Sequence, residues 1–332
     1  VAAFEPADEA DWLLYELGGK HRAQVLSTLA ALGVPDLLHE RGPCALPDLA
    51  SLSGCDDDDL ESLVRAAVGL GCVREGPPGT FSLTARGEQL RSDRLGDFAA
   101  FLGSRSQWDA WSRLRESMRD QEQATPLQRA VGASLYEHLA ADPAASAEYD
   151  AAIDAFTRHE ASRVRGRLDL DGVELVVDVG GGRGTLLREV LNQSAGARGV
   201  LFDLPHVIEA ARESLPEHVE AVAGDFLRAV PPNGDLYLVK HVLHNWSDDD
   251  ALRILRNCRD ARGAGGRVVV IDAVLAPDNR PDLARMLDLE MRVLCGGRER
   301  RKPALRRLIR AAGLELEFAE ELASSSWMFV CR

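Results

Sequence analysis

Two stretches of this 332-residue chain carry side chains whose types and spacing could do chemistry. The first is Glu174-Leu-Val-Val-Asp-Val-Gly-Gly-Gly-Arg-Gly184, where Asp178 stands two residues ahead of a G-x-G-x-G run at Gly180, Gly182 and Gly184. Glycine lets the backbone turn sharply and lets a ligand lie against it. The helix-compatible Thr185–Leu191 that follows would aim its free N–H groups and positive dipole end at that turn. Asp178 can accept hydrogen bonds from the turn's own amides or meet an ammonium on the ligand. Two later apolar runs also end in acids: Asp203 with Leu204, and Asp225 with Phe226. An acid at the point Asp203 occupies in a β-α-β unit commonly accepts ribose hydroxyls. Asp225 and Phe226 offer a carboxylate and an aromatic face to a purine. The set describes a nucleotide-like ligand site. A dinucleotide fingerprint would need glycine where Thr185 stands, which disfavours a nicotinamide dehydrogenase.

The second stretch is Lys240-His-Val-Leu-His-Asn-Trp246. His244 alone reads as a structural histidine as readily as a catalytic one. His241 and His244, three apart, could also form a metal pair. No H-E-x-x-H spacing and no second His/Cys cluster nearby supports a catalytic zinc site, so no metal is expected.

The elements that must position these residues follow from apolar pattern and punctuation. Leu175–Val179, Gly199–Leu204, Val219–Ala223, Gly234–Lys240 and Gly266–Val274 are short apolar runs suited to a parallel sheet covered on both faces. Leu314–Phe318 and Trp327–Cys331 should close that sheet as an antiparallel edge pair. Leu283–Leu294 shows an apolar helical rhythm whose plain reading is core. Ala304–Gly313 is an amphipathic helix begun by Pro303 and ended by glycine. Nearer the start, helical patterns at Trp12–Leu17, Ala23–Leu32, Val34–Leu38 and Asp57–Gly71 precede two β-like runs around the Pro-Pro-Gly turn at 77–79. Helices followed by such a hairpin make a winged helix. Residues 96–173 look helical, and Phe98, Phe101, Leu102, Trp108, Trp111 and Leu114 read as packing residues. The expected domains are therefore 1–95, a connecting helical segment 96–173, and a sheet domain 174–332.

Composition bounds the function. A net charge of −14 argues against non-specific binding to nucleic acid or an anionic membrane. The helix in the DNA-recognition position opens with Asp56–Asp59 and carries Glu61 against a single Arg65, the wrong sign for a major-groove reader. That disfavours a winged-helix regulator. No run approaches the ~18–20 apolar residues of a membrane span. The opening Val1–Glu9 lacks the basic and apolar regions of a signal peptide. Six dispersed cysteines without a C-x-x-C read as reduced thiols, so a cytoplasmic location is expected.

The three acidic strand ends and the glycine turn resemble those of the S-adenosylmethionine-dependent methyltransferases. Lys240–Trp246 is similar to the K-x-x-L-H-[DN]-W signature of metal-independent O-methyltransferases, the plant caffeate type and the bacterial enzymes that decorate aromatic polyketides. Cys295-Gly-Gly-Arg-Glu-Arg300 resembles that family's G-G-[KR]-E-R turn. The resemblance implies a Rossmann-like α/β fold with a seven-stranded, mostly parallel sheet and an N-terminal winged-helix dimerisation domain that makes a homodimer. It implies S-adenosylmethionine as cofactor, S-adenosylhomocysteine as product, and cofactor contacts at Asp178, Gly180, Gly182, Asp203, Leu204, Asp225, Phe226 and Lys240. It makes His244 the base, supported by Asp272 and Glu299, and puts Asn245, Trp246 and Met291 on the acceptor side. Asn245 stands where the family usually has Asp, which removes a charge.

A phenol with pKa near ~10 yields little phenolate at neutral pH, whereas imidazole near ~6.5 is a usable base there. A carboxylate on its far nitrogen fixes the tautomer and stabilises the imidazolium. An apolar, methionine-containing pocket with few basic side chains suits a planar aromatic phenol. Only three of the 39 basic residues are lysine, the coding bias of a GC-rich bacterium, which points to antibiotic or other natural-product tailoring. A hydroxylase or decarboxylase on the same scaffold is the main alternative.

Overall fold

Asp56 starts a helix by accepting from the amides of Asp58 and Asp59. The Asp57–Gly69 helix that follows buries Leu60, Val64 and Ala67 on one stripe and leaves its acidic first turn in water. That is the expected helix, ending two residues earlier. The computed structural model describes residues 5–77, 79–119, 124–194, 196–279, 281–323 and 325–332. Val1–Phe4, and with them part of the signal-peptide expectation, lie outside the described residues, as does Pro78 of the Pro-Pro-Gly turn.

The chain divides into two units, Val1–Trp108 with Ala147–Phe156, and Asp109–Ser146 with Thr157–Arg332. In the first, helices Gly19–Ala31, Val34–Arg41, Leu46–Ser53 and Asp57–Gly69 pack on a three-stranded antiparallel sheet of order β1-β3-β2. Its strands are β1 (Cys44–Ala45), β2 (Val73–Gly76) and β3 (Thr80–Leu83). Leu29, Val34, Leu49, Leu60, Val64 and Phe81 form the core of this winged-helix plan. The Glu9–Leu17 helix buries nothing within the chain, and Trp12, Leu13, Leu14 and Leu17 are exposed. Leu102, Trp108 and Trp111, read from the sequence as packing residues, are also largely exposed. Their helical spacing held, but the indole N–H groups find polar partners instead, Trp108 on Gln24 and Trp111 on Glu290.

The second unit is built on a mixed sheet. Its parallel strands are β4 (Leu175–Val179), β5 (Arg198–Asp203), β6 (Val219–Ala223), β7 (Leu236–Lys240) and β8 (Arg267–Leu275). A two-residue β9 (Arg300–Arg301), not expected from the sequence, pairs parallel with the end of β8. The hairpin β10 (Leu316–Ala323) and β11 (Ser326–Cys331) closes one edge, with β11 antiparallel to β8. The order β10-β11-β8-β7-β4-β5-β6 matters for function. The chain runs outward from β4 through β5 to β6, then returns to the other side of β4 for β7 and β8. The reversal leaves a crevice beyond the carboxyl ends of β4 and β7, the place where open α/β sheets bind ligands. Apolar side chains cover both faces, Val177, Val179 and Tyr237 on one, Val176, Leu201 and Leu238 on the other. This burial on both sides is why these strands read as unbroken apolar runs.

Two helices differ from the sequence reading. Within the stretch 96–173, read only as helical, the longest helix is Pro143–Val164, whose start is capped by Asp142 through the amides of Ala144 and Ala145. The Leu283–Leu294 helix forms as expected, but Leu283 and Met286 at its start are exposed while Val293 and Leu294 are buried. Its apolar stripe is core only in its second half.

Candidate active site

The crevice is entered from β4 by the glycine turn. Gly180, Gly182 and Gly184 have φ of 70, 57 and 74°, the left-handed region that a side chain resists. A Cβ on Gly180 would strike Val242 at 2.8 Å, whereas the space above Gly182 is open. Asp203 at the tip of β5 accepts from the Gly182 amide at 2.9 Å and from the Leu204 amide at 2.7 Å, which couples the turn to the neighbouring strand. Asp225, beyond β6, accepts from the Leu227 amide at 2.9 Å. Phe226 meets the Trp246 indole edge to face, with centroids 5.7 Å apart.

Asp178 lies deeper than the other two acids. It is 2% exposed, and its Oδ2 has no hydrogen-bond partner among the described residues. Burial, helped by the charge of Asp203 and opposed by Lys240, pushes its carboxyl up to about 7.

Beyond β7 the backbone passes through His241 at φ 51°, a left-handed conformation for a β-substituted residue, and into the single 3-10 turn Leu243–Asn245. This presents His244, 8% exposed, to the end of β8. His244 Nδ1 lies 2.7 Å from Glu299 Oε1 and 3.8 Å from Asp272 Oδ1. With Nδ1–H donating to a carboxylate, Nε2 is left to accept a proton. The three residues named for proton handling are therefore brought together from three separate elements.

The G-G-R-E-R turn does more than supply Glu299. Gly297 passes so close to the histidine turn that a Cβ would sit 2.0 Å from the His244 carbonyl oxygen. The Arg298 amide donates to that oxygen at 2.7 Å, and the Glu299 amide donates to Asp288 at 2.9 Å. Buried Arg300 donates to the carbonyls of Leu243 and Trp246 at 2.6 and 2.7 Å, and to Asp248 at 2.9 Å. Its guanidinium fork thus clamps both ends of the histidine turn. The sequence reading singled out neither Gly297 nor Arg300 for this, although both stand inside a motif it quoted.

On the acceptor side, Asn245 spends its amide locally, donating to the His241 carbonyl at 3.2 Å and accepting from Cys295 at 3.4 Å. Trp246 lies parallel to Tyr136, centroids 5.9 Å apart. Met291 is half-buried, and its carbonyl accepts from the amides of Cys295 and Gly297.

A residue the sequence reading passed over is Glu160. Its buried carboxylate lies 2.9 Å from Lys240 Nζ and 2.8 Å from His241 Nε2, and accepts from the Ser326 hydroxyl. The charge of its two neighbours holds Glu160 well below the usual carboxylate range although burial opposes it. His241 and His244 do converge with Asp272, their nearest polar atoms within 4.8 Å of one another, as a metal pair would require. Each imidazole is already engaged by a carboxylate, His244 by Glu299 and His241 by Glu160. The arrangement suits moving and holding a proton.

A glycine cradle at the β4 tip, acids at the next two strand tips, and a carboxylate-held imidazole across the switch point define an S-adenosylmethionine-dependent methyltransferase. Comparison with known proteins agrees. Residues 111–315 match the model of the O-methyltransferase domain, and residues 17–93 that of the O-methyltransferase dimerisation domain. The chain belongs to the O-methyltransferase family, and its cofactor is S-adenosylmethionine. It is 37% identical over 320 residues to 3-amino-4-hydroxybenzoate 4-O-methyltransferase of Streptomyces cremeus, covering 93% of this chain and 87% of that one. It is 33% identical over 312 residues to phenazine O-methyltransferase PhzM of Lysobacter antibioticus, covering 92% and 91%. A relative at 33% identity, covering 89% and 87%, is the 8-amino-8-demethylriboflavin N,N-dimethyltransferase of Streptomyces davaonensis, so similarity of this degree spans oxygen and nitrogen acceptors. Among solved structures, the methyltransferase CalO1 of calicheamicin biosynthesis, bound to S-adenosylhomocysteine, superposes with a TM-score of 0.84 at 32% identity, covering 99% of both chains.

Proposed function

We propose that this protein transfers a methyl group from S-adenosylmethionine to a phenolic hydroxyl of an aromatic small molecule, as a tailoring step on a bacterial natural product. The observation that carries the reading is the 2.7 Å contact between His244 Nδ1 and Glu299 Oε1, in a pair almost closed to solvent. The cofactor supplies an electrophilic methyl on a positively charged sulfur. Gly180, Gly182, Asp203, Leu204, Asp225, Phe226 and Lys240 are the residues we assign to holding it, with Asp178 beneath the turn.

His244 Nε2 takes the hydroxyl proton, and Glu299 with Asp272 stabilises the imidazolium that results. Trp246, Asn245 and Met291 border the acceptor. An arylamine already offers a neutral lone pair and loses its proton after attack, so it has little need of a base held this tightly. The dyad therefore favours oxygen over nitrogen.

His244→Ala should lower S-adenosylhomocysteine release with 3-amino-4-hydroxybenzoate by ~10²–10⁴-fold, the usual worth of a general base, with calorimetric affinity for S-adenosylhomocysteine nearly intact. Equal turnover in the variant would reject the assignment. Aromatic product without stoichiometric S-adenosylhomocysteine would point instead to a hydroxylase or decarboxylase.

A further inference from the structure

We propose that Glu160 is a positioning residue for methyl transfer: through His241 it holds Asp272 against the catalytic imidazole. The inference rests on His244 being the base.

Glu160 is 3% exposed and engages three side chains, Lys240 and His241 at the end of β7 and Ser326 at the start of β11. A carboxylate this deeply placed is stable only because its partners are charged or donate to it. On the far side of the same imidazole, His241 Nδ1 lies 3.7 Å from Asp272 Oδ1, the oxygen that is 3.8 Å from His244 Nδ1. The two rings are stacked with centroids 5.0 Å apart and planes inclined by 28°. Asp272 is 2% exposed and its Oδ1 makes no hydrogen bond among the described residues. Its Oδ1 thus faces the Nδ1 atoms of both imidazoles at nearly equal distance.

Attraction between Asp272 and His241 requires His241 to carry a proton. Burial works against that and Lys240 adds to the cost. The charge of Glu160, with the hydrogen bond it shares with His241 and the nearby Asp272 carboxylate, outweighs both and raises the His241 imidazole to about 9. The groups facing His241 are thus Glu160 from its helix, Asp272 from β8, His244 from the turn and its neighbour Lys240. With His241 protonated, the formal charges of Lys240, His241, Glu160, Asp272 and Glu299 leave a single negative excess, which a proton on His244 cancels. Without Glu160, His241 has only burial and Lys240 acting on its charge from that side, and it gives up the proton. Asp272 then loses the group that draws it into place, and the imidazolium on His244 loses part of its support. The left-handed backbone at His241, a conformation a side chain resists, fits a residue whose position the surrounding structure fixes.

The test compares Glu160→Gln, Glu160→Asp and His241→Asn with the unaltered protein, using 3-amino-4-hydroxybenzoate as acceptor probe and S-adenosylhomocysteine as binding probe. Glu160→Gln should lower kcat by ~10–100-fold, part of what a general base contributes, with S-adenosylmethionine KM and S-adenosylhomocysteine Kd within about threefold. Glu160→Asp should recover part of the loss. His241→Asn, which leaves the Glu160–Lys240 pair in place, should reproduce it even if Glu160→Gln does not fold. Imidazole ¹⁵N spectra of the S-adenosylhomocysteine complex at pH 7.5 should show His241 doubly protonated in the native protein and singly protonated in Glu160→Gln, or in Glu160→Asp to a lesser degree. Wild-type kcat in Glu160→Gln or His241→Asn, or cofactor affinity falling in step with kcat, overturns the proposal. If the native protein transfers no methyl to this probe, the acceptor class is what fails. The nitrogen spectra then decide: His241 keeping both protons without Glu160 overturns the positioning role.

Discussion

Asp178 and His241 are two buried groups displaced in the same direction for opposite reasons. Asp178 is raised because burial penalises its charge, and His241 because neighbouring anions reward the charge that burial opposes. For Asp178 the consequence is a stability gradient. A carboxyl whose folded value stands near 7, above its ordinary 3.8, contributes stability in full below that ordinary value and loses it as pH rises through about 7. The protein without cofactor should therefore melt progressively lower from pH 5.5 to 8. Asp178→Asn, which keeps the shape and removes the charge, should flatten that slope and gain roughly 5 °C or more over the native protein at pH 8. Scanning calorimetry at both pH values checks this, and parallel pH profiles for the two proteins would mean that Asp178 is ionised at no cost. Of the residues at this scale, His244 and Glu299 stood inside motifs and Asp272 at a strand end. Glu160 was not legible, because a glutamate in an alanine-rich helix reads as a solvated face.

At the scale of elements, the candidate site is an interlock of two turns, residues 241–246 and 296–300. The two are joined by the Arg298 amide on the His244 carbonyl and by the Arg300 guanidinium on the carbonyls of Leu243 and Trp246. The absence of a side chain at Gly297 is what allows this, since a Cβ there meets the His244 carbonyl oxygen at 2.0 Å, a contact that only backbone movement can relieve. Gly297→Ala should displace both His244 and Glu299. Turnover should fall ~100-fold or more while the Asp203 end of the crevice keeps its hold on S-adenosylhomocysteine, because a ~1 Å misplacement of reacting groups is costly where oriented attack matters. Steady-state kinetics beside calorimetry would separate the two, and an alanine variant with native kcat would show that the turns are not coupled. The spacing of G-G-R-E-R was visible in the chain, but its contact with a turn more than fifty residues earlier was not.

For the whole molecule, residues 17–93 match a dimerisation domain, and the helix just ahead of them leaves apolar side chains exposed. The Glu9–Leu17 helix exposes Trp12, Leu13, Leu14 and Leu17, and buries nothing within its own chain. Exposed apolar side chains grouped on one short helix suit an association face. We expect light scattering after size exclusion to give twice the chain mass of 36.1 kDa, and removal of residues 1–17 to shift it toward that of a single chain. An unaltered dimer after truncation would locate the interface elsewhere. Among the described residues no helix is long and apolar enough to cross a membrane. All six cysteines are free, and burial pushes the Cys258, Cys295 and Cys331 thiols up to about 12.

The chain's own order of residues determined what depends on near neighbours. Val-rich runs specified strands covered on both faces, glycines specified the left-handed turn at the tip of β4, Asp56 specified a helix start, and two motifs held the histidine and glutamate that meet in the candidate site. Such features are set by backbone sterics and by periodicity over a few residues, so they can be read before anything packs. Tertiary structure alone decided which charges would meet. Glu160 reaches His241 across 81 residues of chain, and Asp272 lies between two imidazoles only because β8 pairs with β7 in the register that puts Ile271 beside Lys240. Burial then turned these meetings into chemistry, since a carboxylate deprived of water must take its charge balance from whatever the fold sets beside it.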